Sequence, residues 1–421
     1  MSEIIITSKS STSWKRNLAV IWFAEVVAIA GFTVVIPLLP LYVRELGVQG
    51  EREVRIWAGA IFSAHAVAMA IFGPIWGALS DRYGRKVMVE RAMFSGAVLI
   101  SLMGLARSVQ QLVLLRALQG ALTGTITAAN ALVATTAPRE RVGYALGMLQ
   151  MAVYLGASAG PLLGGLVADG FGYRAAFFVT GALLSLAGFG VLLFTKEEFQ
   201  PRMSPAEGPA SGGSDRLALH RRVWTGLAPV LGSVPLLSVM GVGLVMRLGV
   251  RLLGPVMPLF VEAIVPPNAR VASITGLISG ISAAASAVGA LSLGRLGDRL
   301  GYRWILVASA IGSAVCYFPQ FFAGDTNTLL FLQAGTGLMM GGALASLSAS
   351  LARLAPEGQE GIVYGVDASV ASVANAIGPM TGSTLAAWLG LRVPFLVATG
   401  IFGLAGVAAA RLIPGGRPSE E

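Results

Sequence analysis

Apolar residues in this chain gather into long runs instead of alternating with polar ones. The runs lie near residues 17–43, 55–79, 87–107, 110–136, 143–168, 174–195, 230–261, 271–294, 303–322, 328–353, 361–388 and 393–412. A helix needs about 20 apolar residues to cross a hydrocarbon core ~30 Å thick, so the pattern predicts twelve transmembrane helices. Gly and Pro recur inside the runs, which transmembrane helices tolerate because neighbouring helices and waters satisfy the freed backbone groups. The first run continues to Val43 and carries Glu25. A secretory signal has an apolar segment of only about 7–15 residues, so this run is expected to stay in the protein as a span.

Composition agrees with a membrane protein. Of the 421 residues, 55% are hydrophobic and 12% charged, about half the ~25% charged residues of a soluble domain. A single cysteine, Cys316, excludes a disulfide framework, and two histidines, His65 and His220, supply no metal-ligand set. No metal, cofactor or enzymatic activity is expected.

The net charge of +9 would point to nucleic acid in a soluble protein. Here its distribution gives another meaning. With a cytoplasmic N-terminus, twenty Lys and Arg fall on the inner side and only Arg44, Arg52, Arg55, Arg107, Arg174, Arg270 and Arg392 on the outer. That asymmetry is the positive-inside rule, and it predicts both termini in the cytoplasm with no nucleic-acid partner.

The chain also repeats itself. Pro37 and Pro40 recur as Pro255 and Pro258, Pro138 as Pro356, and Gly160-Pro161 as Gly378-Pro379, all at an offset of 218 residues; Asp81, Arg82 and Gly84 recur as Asp298, Arg299 and Gly301 at 217. Each copy holds six predicted spans, so the two share one orientation, as parallel repeats do. The expected organisation is a six-helix bundle over 1–195, a Pro-, Gly- and Ser-rich linker over 196–222 and a second bundle over 223–421.

Charge is concentrated in residues 77–86, which read GALSDRYGRK: Gly77, Asp81, Arg82, Gly84, Arg85 and Lys86 lie at the predicted inner end of the second span. With its copy at 294–303, with Arg116 and Gln119-Gly120 in the fourth span, and with Gly156, Gly160, Pro161, Gly164 and Gly165 in the fifth, the chain resembles the major facilitator superfamily over nearly its whole length. The fifth-span glycines resemble the antiporter motif of its twelve-span drug:proton exporters. By this resemblance Asp81 and Asp298 are gating residues, Asp81 facing the start of the eleventh span near Gly361; a carboxylate at a helix N-terminus gains ~0.3–1 kcal/mol. A topology-setting turn is the alternative. The glycines form a stripe at four-residue spacing that lets helices approach closely, and Pro161 would kink or loosen the turn; packing and hinge roles both stay open. Gly156, Ser158 and Gly160 also fit the nucleophile-elbow pattern, but that needs a strand-to-helix turn and a histidine partner, and neither is available.

Ionisable groups within spans are rare and mark function. Five occur: Glu25, Arg116, Arg247, Arg251 and Asp367. Glu25 resembles the first-span acid of related exporters. Helix rise puts it and Arg116 about 8 Å apart in height, close enough for an ion pair or a water bridge. Proton coupling is assigned to Glu25, Arg116 and Asp367, the last also reading as a vestibule group. Arg247 and Arg251 share a helix face, though Arg251 can instead snorkel outward. Three arginines against two acids favour an anionic, zwitterionic or neutral substrate over a lipophilic cation. Gln119, Asn130, Gln150, Tyr154, Phe32 and Asn375 complete the expected cavity, with Gln320, Gln333, Trp22 and Tyr317 as further polar or aromatic candidates.

The expectation is an all-α membrane protein of the major facilitator fold, a monomer in a bacterial cytoplasmic membrane, that exchanges protons for small organic or amphiphilic molecules by alternating access. An uptake symporter or facilitator of a small organic anion, a lipid or lysolipid translocator, and a non-transporting sensor are the rival readings.

Overall fold

The structure, a computed structural model, describes residues 4–138, 141–195, 197, 230, 232–356 and 359–413. Side chains are described from Trp14 onward, except those of Ala78, Asp81, Arg82, Thr127, Thr135 and Glu360. Apart from Glu197, the expected linker lies outside the described residues.

Fifteen helices and no strand are present among the described residues. The N-terminal repeat comprises α1 (Ile4–Val34), α2 (Leu39–Glu45), α3 (Glu51–Tyr83), α4 (Arg85–Gly104), α5 (Val109–Leu122), α6 (Thr125–Thr136), α7 (Val142–Phe171) and α8 (Tyr173–Phe194). The second comprises α9 (Val234–Leu253), α10 (Val256–Ile264), α11 (Val271–Leu300), α12 (Tyr302–Gln320), α13 (Thr326–Leu354), α14 (Glu360–Leu389) and α15 (Val393–Leu412).

Ten of these helices are long and apolar enough to cross a membrane. The other two predicted positions differ. The fourth run breaks at Thr123 and Gly124, whose φ of 142° is open to glycine and rarely to other residues, leaving the short helices α5 and α6. The ninth is α12, which opens on Tyr302, Arg303 and Trp304. The first and seventh runs, expected to be continuous, also end early: α1 stops before Pro37 and α9 before Pro255, because proline removes a backbone donor and clashes with the preceding turn. Short α2 and α10 complete them.

Two apolar cores form, one almost wholly from residues 21–191, the other from 230–413. In the first, α4 packs on α8 and α3 on α5; in the second, α11 packs on α13, and α9 on α14 and α15. Two long seams join the halves, α7 against α11 and α3 against α14, with α2 touching α10 between them.

The loop signature has a backbone explanation. Gly84 and Gly301 take φ of 97° and 91°, and each donates its N–H to a carbonyl four residues back, Ser80 and Gly297 respectively. Only glycine adopts that left-handed stop without strain. Glu197 then accepts from the N–H groups of Arg85 and Lys86 at 3.1 and 2.8 Å, closing the N-terminus of α4.

Candidate functional site

The seams close one end of the molecule. Asp169, at the end of α7, accepts from the backbone N–H groups of Ala272 and Ser273 at 3.3 and 2.7 Å, capping α11 of the opposite half. Arg55 of α3 donates to the Ala386 carbonyl near the end of α14 at 3.0 Å, and the Arg52 guanidinium lies 3.0 Å from the Trp388 ring centroid. Arg44 of α2 donates to Glu262 of α10 at 3.2 Å and also pairs with Glu51 at 2.6 Å.

Small residues let these helices touch. A Cβ on Gly59 would come within 2.6 Å of Ser383 and 3.1 Å of the Pro379 carbonyl, and one on Gly276 would fall on the Pro161 carbonyl. The stripe expected in the fifth span serves packing on both sides: Cβ atoms at Gly156, Gly160 and Gly164 would collide with the α1 backbone around Val26, Ala30 and Val34, and one at Gly165 with Ala272 of α11. Ser158 donates across the same seam to the Gly280 carbonyl at 3.0 Å.

The end that carries Gly84 and Gly301 is open. Every residue from Met69 to Ile75 on α3 is exposed, nearly two turns, so no face of that stretch is covered by α14. Around Gly77, Gly361 and Gly365 there is open space. Asp298 accepts from the Tyr302 hydroxyl of its own half, Arg299 is exposed, and Lys86 pairs with Glu90 at 3.5 Å and donates to the Leu192 carbonyl. The side chains of Asp81 and Arg82 lie outside the description. The loop signature is thus at the parted end.

Glu25 is 1% exposed, the Thr125 hydroxyl of α6 is the polar group beside its carboxylate, and no cation pairs with it among the described residues. The ion pair with Arg116, the alternative that their heights allow, does not form among the described residues. Arg116, 5% exposed, donates instead to Gln119 at 2.6 Å on its own helix. Gly120 brings α5 against the His65 carbonyl of α3, so His65, which had no expected role, lies in this polar cluster.

In the second half, Arg247 of α9 and Asp367 of α14 form a two-pronged pair at 2.7 and 2.8 Å. Planar guanidinium and carboxylate match in that geometry, and both side chains are largely buried. Arg251, one turn on, is exposed although its Cβ sits against Gly378 of α14.

The remaining candidates separate. Gln150 is exposed, and Tyr154, Asn130 and Asn375 are half-buried. Phe32, expected at the cavity, lies against Gly96 of α4, because its position on α1 turns it into the N-terminal core. Gln320, Gln333 and Thr336 bond to one another, and Tyr317 stacks on Phe402 at 5.3 Å; these are packing residues. Trp22 lines a cavity of ≈ 460 Å³ with Trp14, Lys15, Arg141, Tyr144 and Met148.

Comparison with known proteins accords with this architecture. The family model described as "Major Facilitator Superfamily" matches residues 21–265 and 239–421. The chain is 35% identical over 391 residues to "Multidrug resistance protein MdtG" of Enterobacter lignolyticus (strain SCF1), covering 93% of this chain and 90% of that one. It is also 35% identical over 393 residues to the protein of the same name from Citrobacter koseri, covering 92% and 93%. Among solved structures, a bacterial homolog of the human lysosomal transporter Spinster, in an inward-facing and occupied conformation, superposes with a TM-score of 0.75 at 16% identity over 94% of this chain and 96% of that one. The human organic anion transporter MFSD10 (TETRAN) superposes with a TM-score of 0.64 at 18% identity over 94% and 99%. With two repeats, seams that close one end and a sequence match spanning both halves, this chain belongs to the major facilitator superfamily.

Proposed function

We propose that the chain is a proton-coupled exporter of small organic or amphiphilic molecules in a bacterial cytoplasmic membrane, and that it acts as a monomer. The proposal includes twelve spans, counting α5 with α6 as one and α12 as another, both termini in the cytoplasm, and bundles at 1–195 and 223–421 joined by a cytoplasmic linker. The parted end carries Gly84, Gly301 and most of the basic loops, so the positive-inside rule makes this an inward-open state.

The observation that carries the reading is Glu25. A carboxylate so fully enclosed, with no paired cation among the described residues, is costly to hold as an anion. In the inward-open state it therefore carries a proton. Parting of the α3–α14 and α7–α11 seams while the opposite end closes would change its access to water, and the proton would leave on one side and be regained on the other. Asp81 and Asp298 are assigned to the inner latch that forms when the parted end closes. The 35% identity to proteins called multidrug resistance proteins supports export of organic compounds.

The test is transport by proteoliposomes under a pH difference imposed in either direction. Wild-type protein should drive substrate against proton flow, while Glu25→Gln should equilibrate substrate without responding to the gradient. Gradient-driven accumulation by Glu25→Gln would overturn the assignment. Substrate and protons moving in the same direction would favour the symporter, and movement of single-chain lipids alone would favour the lipid translocator.

A further inference from the structure

Of the five intramembrane charges, only one is both exposed and without a hydrogen bond among the described residues. Asp367 is engaged through both oxygens by Arg247, Arg116 is buried on Gln119, and Glu25 is enclosed in the other half. Arg251 has no hydrogen bond or ion pair among the described residues, and it is exposed. A guanidinium stays protonated in proteins, so this group is a standing positive charge.

Its surroundings identify what it faces. Gly243 turns α9 toward Leu347 of α13, Gly249 toward Phe402 of α15, and Arg251 Cβ itself touches Gly378 of α14. These helices cover three sides of α9. The uncovered side carries Gly241, Leu244, Leu248 and Arg251, none of them buried, at the i, i+3, i+7, i+10 spacing of one helix face, and Gly241 has open space where a Cβ would stand. At the end of that face a Cβ on Gly254 would meet the Phe62 ring of α3 at 4.0 Å. The face therefore looks across the space between the halves, beneath the seal that Gly59 makes with Pro379 and Ser383.

We propose that Arg251 binds the charged group of an amphiphilic organic anion at the head of the inward-open cavity, with Leu244, Leu248 and Phe62 contacting its apolar body. The inference rests on the transport reading and specifies its substrate class. An uncompensated cation in a low-dielectric cavity attracts an anion and repels a lipophilic cation, whereas the neighbouring Arg247 is already matched. Arg251 then determines specificity, and Arg247 and Asp367 hold the backbone that presents it.

Two naphthalene probes separate charge from shape: dansylate, a sulfonate anion, and dansylamide, its neutral amide. Binding to the purified protein in nanodiscs, read by tryptophan-to-dansyl energy transfer with no pH gradient, should be at least tenfold tighter for dansylate. Arg251→Gln should abolish that difference by weakening dansylate alone, Arg251→Lys should restore part of it, and Arg251→Glu should reverse it toward a quaternary ammonium dye. Equal affinity for the two probes in the wild type, or a dansylate preference that survives in Arg251→Gln, would overturn the proposal. Failure of proton coupling in the Glu25→Gln experiment would leave this measurement unchanged, so the two readings fail separately.

Discussion

Arg44 and Glu262 meet at 3.2 Å although 218 residues separate them, and 218 is also the offset at which Pro37 recurs as Pro255. The two side chains thus occupy equivalent positions in the two repeats and pair with each other across the axis that relates them. The flanking seams obey the same relation: Gly59 faces Pro379, and Gly276 faces Pro161. An arginine in one copy and a glutamate in the other make the axial contact attractive, where identical residues would repel.

Loss of this pair should ease opening of the sealed end. Both side chains are one-third exposed, so solvent screening limits the pair to ~0.2–1 kcal/mol. Arg44→Gln should shift the population toward the outward-open state by roughly five-fold at most, read as a longer distance between spin labels at Gln49 and Asn268. Raising the salt concentration should reproduce part of the shift in the wild type.

Asp169 should matter more, because it satisfies two N–H groups at the start of α11. Removing a side-chain cap costs ~0.5–2 kcal/mol. Asp169→Ala is expected to speed hydrogen exchange at Ala272 and Ser273 by about 2- to 30-fold, and Asp169→Asn, which keeps one acceptor, to fall between.

The glycine stripe gives an internal control. Gly160→Ala would place a methyl group on the Ala30 carbonyl and the Thr33 hydroxyl, whereas Gly147→Ala on the same helix meets nothing within 4 Å. Overpacking costs about 1–3 kcal/mol. Gly160→Ala should lower the thermal transition of the detergent-solubilised protein and impair transport, and Gly147→Ala should leave both near wild type.

Asp367→Asn should destabilise the second bundle by about 3 kcal/mol, because it leaves Arg247 largely buried without its counter-charge. Arg247→Gln combined with Asp367→Asn should recover most of that loss. A double-mutant cycle in denaturant titrations measures the coupling; additive single effects would show that the pair contributes nothing.

Several features were legible in the sequence because they depend on local chemistry. The apolar runs mark ten membrane-length helices, and the duplication emerges from recurring prolines and glycines. Gly84 and Gly301 betray themselves because a left-handed helix stop needs glycine. Pro37 and Pro255 are equally visible, yet the hydropathy pattern does not mark the breaks beside them, because apolar residues continue past both. The break at Gly124 escaped for the same reason. Asp169 and Glu197 gave no signal at all: an acid near a helix end looks the same whether it is solvated or caps a neighbouring helix.

Height in the membrane can be counted along a helix at ~1.5 Å per residue, and the sequence alone therefore determined which charges lie inside the spans and about how deep. Azimuth cannot be counted that way, because it depends on how each helix is rotated by packing against partners far along the chain. Only the tertiary structure decided that Arg116 turns to Gln119 and not to Glu25, that Arg247 is neutralised by Asp367 120 residues away, and that Arg251 faces the space between the halves.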